Sequence, residues 1–214
     1  MTTEIRAFDF DVRADQDEQH GTFLTGQPIV FGSQTEIYHP VRGRFIEIID
    51  FGALDNTDLK DVRFLINHDT NMIPLARSRN NNENSTMQLQ VDEGRGLIIR
   101  VNLDTENNAD AKALYSAVER GDISGMSFMF TVDEDIWEDL KTDLPKRHVR
   151  SIGRVMEVSA VTFPAYEATS IQARGLSDAL DSAWVSLDSA KAEVRKLDLA
   201  KEKLKLKARI QNGN

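Results

Sequence analysis

At 214 residues the chain has room for one sizeable core with appendages, and domain sizes do not favour two full domains. It contains no cysteine, which excludes a disulfide framework, a thiol nucleophile and a cysteine zinc site and fits a cytoplasmic life. A formal charge of -9 disfavours nonspecific binding to nucleic-acid phosphates, and apolar runs no longer than a strand, behind an N-terminus without signal-peptide regions, predict a soluble chain with no nucleic-acid or membrane partner.

Residues 1–20 mix charges with few apolar side chains, and Ile5, Phe8, Phe10 and Val12 suggest an N-terminal arm or edge strand. From Gly26 the apolar runs are short, rich in Val, Ile and Phe, and separated by Gly, Pro, Asn and Asp, which predicts a series of strands. Asn80 to Ser85 is too polar to pack and reads as a mobile connection without a role. Met87–Val91 and Leu97–Val101 flank a loop with Gly94 and Gly96, the pattern of a hairpin whose glycines supply positive φ. Ala113, Leu114, Ala117 and Val118 recur at helical spacing, with Asn108 or Asp110 as N-cap and Gly121 as terminator. That helix delivers the chain into the strand Gly125–Phe130. Around Pro145 a hairpin or longer loop is expected before His148–Ile152 resumes strand character. Beyond Arg174 the chain is rich in Ala, Leu, Lys, Asp and Glu and has no proline, so residues 175–214 predict a long helical tail separable from the preceding domain. Leu180, Leu187 and Val194 recur every seven residues, as do Ala183, Ala190, Leu197 and Leu204, marking a heptad seam that needs a partner helix.

Three residues stand out chemically. Ser127 places a hydroxyl inside the apolar strand, His68 ends the apolar run Leu65–Ile66, and Glu157 lies among Val155, Met156, Val158 and Val161. Serine, histidine and carboxylate are the parts of a nucleophile, its base and the group that orients the base. Each also has an ordinary reading: Ser127 as a small residue beside Gly125, His68 as a strand-end hydrogen bonder, Glu157 as an edge carboxylate facing solvent. An ionised Glu157 amid such neighbours is costly unless paired, and a histidine would pair it. Ser124 is the neighbouring hydroxyl, at the helix-to-strand junction where a turn role suffices. Asp69 is a second carboxylate, but adjacent strand residues point to opposite faces. His20 and His39 sit in polar or turn-like surroundings. A metal hydrolase using His68 and Asp69 is the competing enzyme class, without a second histidine at ligand spacing. No cofactor is suggested.

Several ordered blocks together resemble the prohead maturation protease family of tailed bacteriophages, a serine peptidase family similar in fold to the herpesvirus assemblins. They are Gly26–Gly32, Phe45–Leu54 with its F-x-E-x-I-x-x-G-A-L pattern, Asn67-His68-Asp69, Gly121–Phe128 with Gly-Met-Ser, and Glu157-Val158-Ser159 followed by Thr162-Phe163-Pro164-Ala165-Tyr166. The resemblance spans about residues 21–174, which it marks as a serine protease domain. It implies an α+β fold built on a mostly antiparallel, closed or nearly closed β-barrel with peripheral helices. It also implies Ser127 as nucleophile, His68 as base and Glu157 as orienting carboxylate, with His148 as the alternative third member because assemblins use a second histidine. Arg154 and nearby amides are the oxyanion candidates by the same analogy. The implied function is a serine endopeptidase that cleaves the scaffolding segment of the major capsid protein, other prohead proteins and itself. It would act in the host cytoplasm inside the assembling procapsid, with the portal protein as a further partner and dimerisation as in the assemblins. Recruitment of the tail by scaffolding helices and its self-removal near Gln172-Ala173-Arg174-Gly175, or within the lysine-rich tail, follow from the same reading. The alternative is a non-catalytic capsid-assembly or scaffolding protein.

Overall fold

The computed structural model describes residues 3–8, 12–17, 21–39, 41–162 and 173–211, with the backbone alone for Phe8 and for residues 173–181 and 209–211. Phe10, His20, Phe163–Tyr166 and Gln172 lie outside the described residues.

Among the described residues, eleven strands form two sheets. The larger contains β1 (Thr3–Phe8), β4 (Gln34–His39), β5 (Gly43–Ile49), β6 (Arg63–Ile66), β7 (Ala76–Arg77), β10 (Gly125–Glu138) and β11 (Lys146–Val161). Its spine is the long β10–β11 hairpin. On β11's other flank β5 pairs in parallel with Lys146–Val149, and further along β6 pairs in parallel with Glu157–Ala160. β1 adds antiparallel to the free side of β10. The second sheet is an antiparallel set of β2 (Arg13–Asp17), β3 (Gly21–Val30), β9 (Gly96–Asn102) and β8 (Met87–Asp92), in the order β2-β3-β9-β8.

The fold is therefore α+β, but the sheets do not close into a barrel. β1 pairs only with β10 and β4 only with β5, so among the described residues the larger sheet keeps its edges. The apolar faces meet in one core, with Leu24, Ile29, Leu97 and Val101 from the smaller sheet and Phe64, Phe128, Phe130 and Val158 from the larger. Helix α1 (Ala109–Glu119) buries Ala111, Leu114 and Val118 in it. Its first turn is capped as the sequence predicts, Asn108 accepting from the amides of Asp110 and Ala111.

Two local expectations are corrected. Only Gly96 of the two hairpin glycines needs positive φ, at 125°, and a Cβ there would lie 2.1 Å from the Ile29 carbonyl oxygen. Asn80–Ser85 is not a loose tract. Asn80 and Asn81 adopt positive φ, and the Asn81 amide bonds both the N–H and the C=O of Leu89 at 3.0 and 2.6 Å, so side chains supply the order that apolar packing does not.

Helix α2 (Ala173–Gln211) docks by its first half. Ala183, Trp184 and Leu187 are buried with Ile37 and Phe45, and the Phe45 ring meets Trp137 and Trp184 edge-on at 5.1 and 4.9 Å. Its second half keeps Leu197, Leu199, Leu204 and Leu206 more than half exposed. No helix of the described residues is long and apolar enough to cross a membrane.

Sequence reading did not anticipate a buried charge cluster beneath β1. Arg6 pairs with Glu4 at 2.6 Å and bidentately with Glu47; Arg147 pairs with Glu4 at 2.7 Å, with Glu47 at 2.9 Å and with Asp135 at 2.6 Å. Burial alone would raise the Glu4 pKa, but the Arg6 and Arg147 guanidiniums outweigh it and hold the carboxyl at about 2. A depressed carboxyl stabilises the fold above its unfolded pKa and loses that contribution as pH falls through the folded value. Glu4→Gln is therefore expected to cost about 3 kcal/mol near neutrality. In denaturant titrations, the gap between wild type and variant should shrink as pH falls from about 4.5 to about 2. A gap independent of pH would show that the Glu4 charge contributes nothing.

Candidate active site

Ser127 lies on β10 directly across from Ser159 on β11, and Met129 lies across from Glu157. The next strand, β6, pairs Arg63 with Glu157 and Leu65 with Ser159. Where β6 ends, the chain reverses through Asn67 and His68, both with positive φ (51° and 58°), and the Asp69 amide donates to the Ile66 carbonyl at 3.1 Å. Such a turn suits Asn and His, which tolerate the left-handed region better than β-branched residues. It swings the imidazole back over the sheet.

Three bonds fix the turn on β11. The Asn67 side chain donates to Thr162 Oγ1 at 3.0 Å and accepts from the Thr162 amide at 2.9 Å, and the Asn67 amide donates to the Ala160 carbonyl at 3.0 Å. The His68 ring then bridges two strands. Nε2 stands 2.5 Å from Ser127 Oγ, and Nδ1 is hydrogen-bonded to Glu157 Oε1. The second Glu157 oxygen accepts from Ser159 Oγ at 2.6 Å, and that same hydroxyl accepts the His68 amide at 3.1 Å. Ser127 and Ser159 are fully buried, Glu157 nearly so, and His68 partly open. With Nδ1–H donated to the carboxylate, Nε2 is the unprotonated nitrogen facing the serine, the arrangement in which a histidine can take a hydroxyl proton.

A cavity of about 380 Å³ opens beside Glu157, lined by Leu65, Met72, Pro74, Met129 and Met156 with Arg63. Of its lining residues, Met129 follows Ser127 by two positions on β10.

A family model for the caudovirus prohead serine protease matches residues 8–181. The chain belongs to that family. No curated protein and no solved structure is matched by it. As a prohead serine protease by family, the chain falls among hydrolases of phage capsid maturation, a role that brings such proteins together with phage capsid proteins. The match reaches past β11 into the first turns of α2.

The other candidate residues lie elsewhere in the chain. His148, on β11 across from Ile136, bonds Asp50 at 2.8 Å, and Asp50 also pairs with Arg150 at 2.8 Å. His148 is thus engaged at the far end of the hairpin. Asp69 is exposed and accepts the Asn71 amide at 2.9 Å. Ser124 precedes β10, and the His39 ring accepts the amides of Val41 and Arg42. Arg154 sits across from Thr131, four residues beyond Ser127 and about 13 Å further along the strand. Its guanidinium faces Asp58, while Gly153 accommodates Asp133 at a spacing no Cβ would allow. Ser159 and Asn67 are the residues that sequence reasoning passed over. Their signal was present in the family blocks, as the Ser of Glu-Val-Ser and the Asn of Asn-His-Asp, but no role was read from it.

Proposed function

We propose that Ser127, His68 and Glu157 form the catalytic triad of a serine endopeptidase. The observation that carries this reading is the alignment of the three side chains, with Glu157 hydrogen-bonded to His68 Nδ1 and the other ring nitrogen, Nε2, 2.5 Å from Ser127 Oγ. His68 Nε2 removes the Ser127 proton as Oγ attacks a peptide carbonyl; the same proton passes to the leaving amine, and water then hydrolyses the acyl-enzyme by the reverse route. Glu157 holds the Nδ1–H tautomer and stabilises the imidazolium, and Ser159 holds Glu157. The methionine-lined recess takes an apolar substrate side chain, since unbranched thioethers adapt to irregular shapes.

The substrates in this reading are the scaffolding segment of the major capsid protein, other prohead proteins and the protease itself, cleaved inside the procapsid in the host cytoplasm. Family membership supports it. The exposed leucines of α2 support recruitment by scaffolding helices, because Leu197/Leu204 and Leu199/Leu206 each recur at heptad spacing with more than half of their surface open. Incubating the purified chain with proheads of the same phage should shorten the capsid protein from its N-terminus, and chain lacking residues 189–214 should cleave free capsid protein but fail to be packaged. Capsid protein of unchanged length with the full chain would contradict the endopeptidase reading.

A further inference from the structure

Ser127 is fully buried, so a peptide reaches its hydroxyl only if something moves. Within the sheet it has two neighbours. β11 is the hairpin partner of β10, flanked on its far side by β5 and β6, and cannot leave without dismantling the sheet. Among the described residues β1 is an edge strand paired with β10 alone, with Ala7 across from Ser127. Ser127 Oγ donates to the Arg6 carbonyl at 2.8 Å. A hydroxyl has one proton, so a bond given to Arg6 is withheld from His68 Nε2. A peptide carbonyl of an antiparallel strand is therefore already seated against the serine. Its oxygen, not its carbon, faces Oγ, which leaves that peptide bond unattacked.

We propose that the strand position filled by β1 is the seat of an extended peptide substrate, and that β1 is its built-in occupant. The proposal rests on the reading of Ser127 as nucleophile. Extended peptides commonly bind by adding to a sheet edge through main-chain hydrogen bonds, and removal of β1 would turn β10 into such an edge beside Ser127. Outside the sheet β1 packs against α2, and its own side chains are those of an exchangeable strand. Its buried polar side chains are Glu4 and Arg6, whose charges cancel, and of its described apolar side chains only Ile5 is large and buried. When the pair leaves together, Glu47 and Asp135 keep Arg147 as their partner. Buried ion pairs come near to break-even with solvation, unlike a packed apolar strand. The same partners set what the seat accepts. Glu47 favours a basic side chain on the residue whose carbonyl faces Ser127, and Arg147 an acidic one two residues earlier, the pattern of Glu4-Ile5-Arg6.

The absence of cysteine allows a reversible test. Thr3 lies across from Thr131, whose hydroxyl has no partner among the described residues, and directly opposed residues of antiparallel strands are within disulfide reach. In a Thr3→Cys/Thr131→Cys chain, labelling of Ser127 by diisopropyl fluorophosphate is followed by mass spectrometry with the bridge closed and open. The closed form should label at least about tenfold more slowly, because local opening of β1 is blocked. The open form should match wild type. A synthetic Thr3–Phe8 hexapeptide in excess should slow labelling of the open form, and the same peptide with both charges changed to glutamine should do so less. Equal labelling in both redox forms overturns the proposal with the triad intact. No labelling of Ser127 in either form overturns it by removing the nucleophile on which it rests, and equal protection by the two peptides overturns the charge selection.

Discussion

Ser127→Ala should reduce cleavage of the capsid protein by about 10⁵- to 10⁶-fold, the scale seen when a triad nucleophile is removed and only binding and oxyanion stabilisation remain. The loss should appear in kcat, with KM little changed, because the hydroxyl acts in the transition state rather than in peptide binding. The fold should persist. Ser127 is fully buried on a strand bonded on both sides, and alanine removes only a hydroxyl that donates to the Arg6 carbonyl and lies 2.5 Å from His68 Nε2. Thermal unfolding should therefore shift by only a few degrees, as expected for about 1 kcal/mol. A variant that cleaves at more than about one per cent of the wild-type rate would place the nucleophile elsewhere, with Ser124 the first to examine.

Glu157→Gln is the sharper test of the hydrogen-bond chain, because it changes a charge and a donor pattern without changing shape. Ser159 Oγ donates to one Glu157 oxygen, and a glutamine keeping its carbonyl there turns its NH₂ toward His68 Nδ1. That nitrogen must then accept, so the ring proton moves to Nε2, which can no longer take the proton of Ser127. The expected loss is about 10³- to 10⁴-fold in kcat, the cost of a triad histidine held in the wrong tautomer. Glu157→Asp should fare better than glutamine only if the shorter carboxylate still reaches Nδ1. Replacing His148 with alanine serves as the control. Its ring bonds Asp50, so cleavage should stay within a few-fold of wild type, whereas a loss comparable to Glu157→Gln would restore it as the third member.

The strands and α1 were legible because they rest on local signals. Alternating apolar residues, the Asn108 cap and the glycine-bearing hairpin each bias a few neighbouring residues in the same direction. The grouping of Ser127, His68 and Glu157 was legible only through ordered family blocks, because the contacts joining them span 59 and 89 residues of chain. What could not be read was set by tertiary context. Glu4 and Arg6 look like solvent-facing residues of a charged N-terminal arm, and their burial depends on Glu47 and Arg147, far away in sequence. The two parallel pairings of β11 leave no local trace either, and barrel closure, which only the family resemblance implied, gives way to two open sheets. Trp184, at none of the heptad positions, anchors α2 on Phe45 through a contact between residues far apart in the chain. The heptad spacing is present, but Ala183 and Leu187 are spent on the chain's own sheet.

The most direct test is the intact mass of this chain and its capsid protein, co-expressed as wild type and as Ser127→Ala. A shortened capsid protein with wild type, and a full-length one with the variant although proheads assemble in both, is the predicted result. The same cleavage in both samples, or none in either, would contradict peptide cleavage by Ser127.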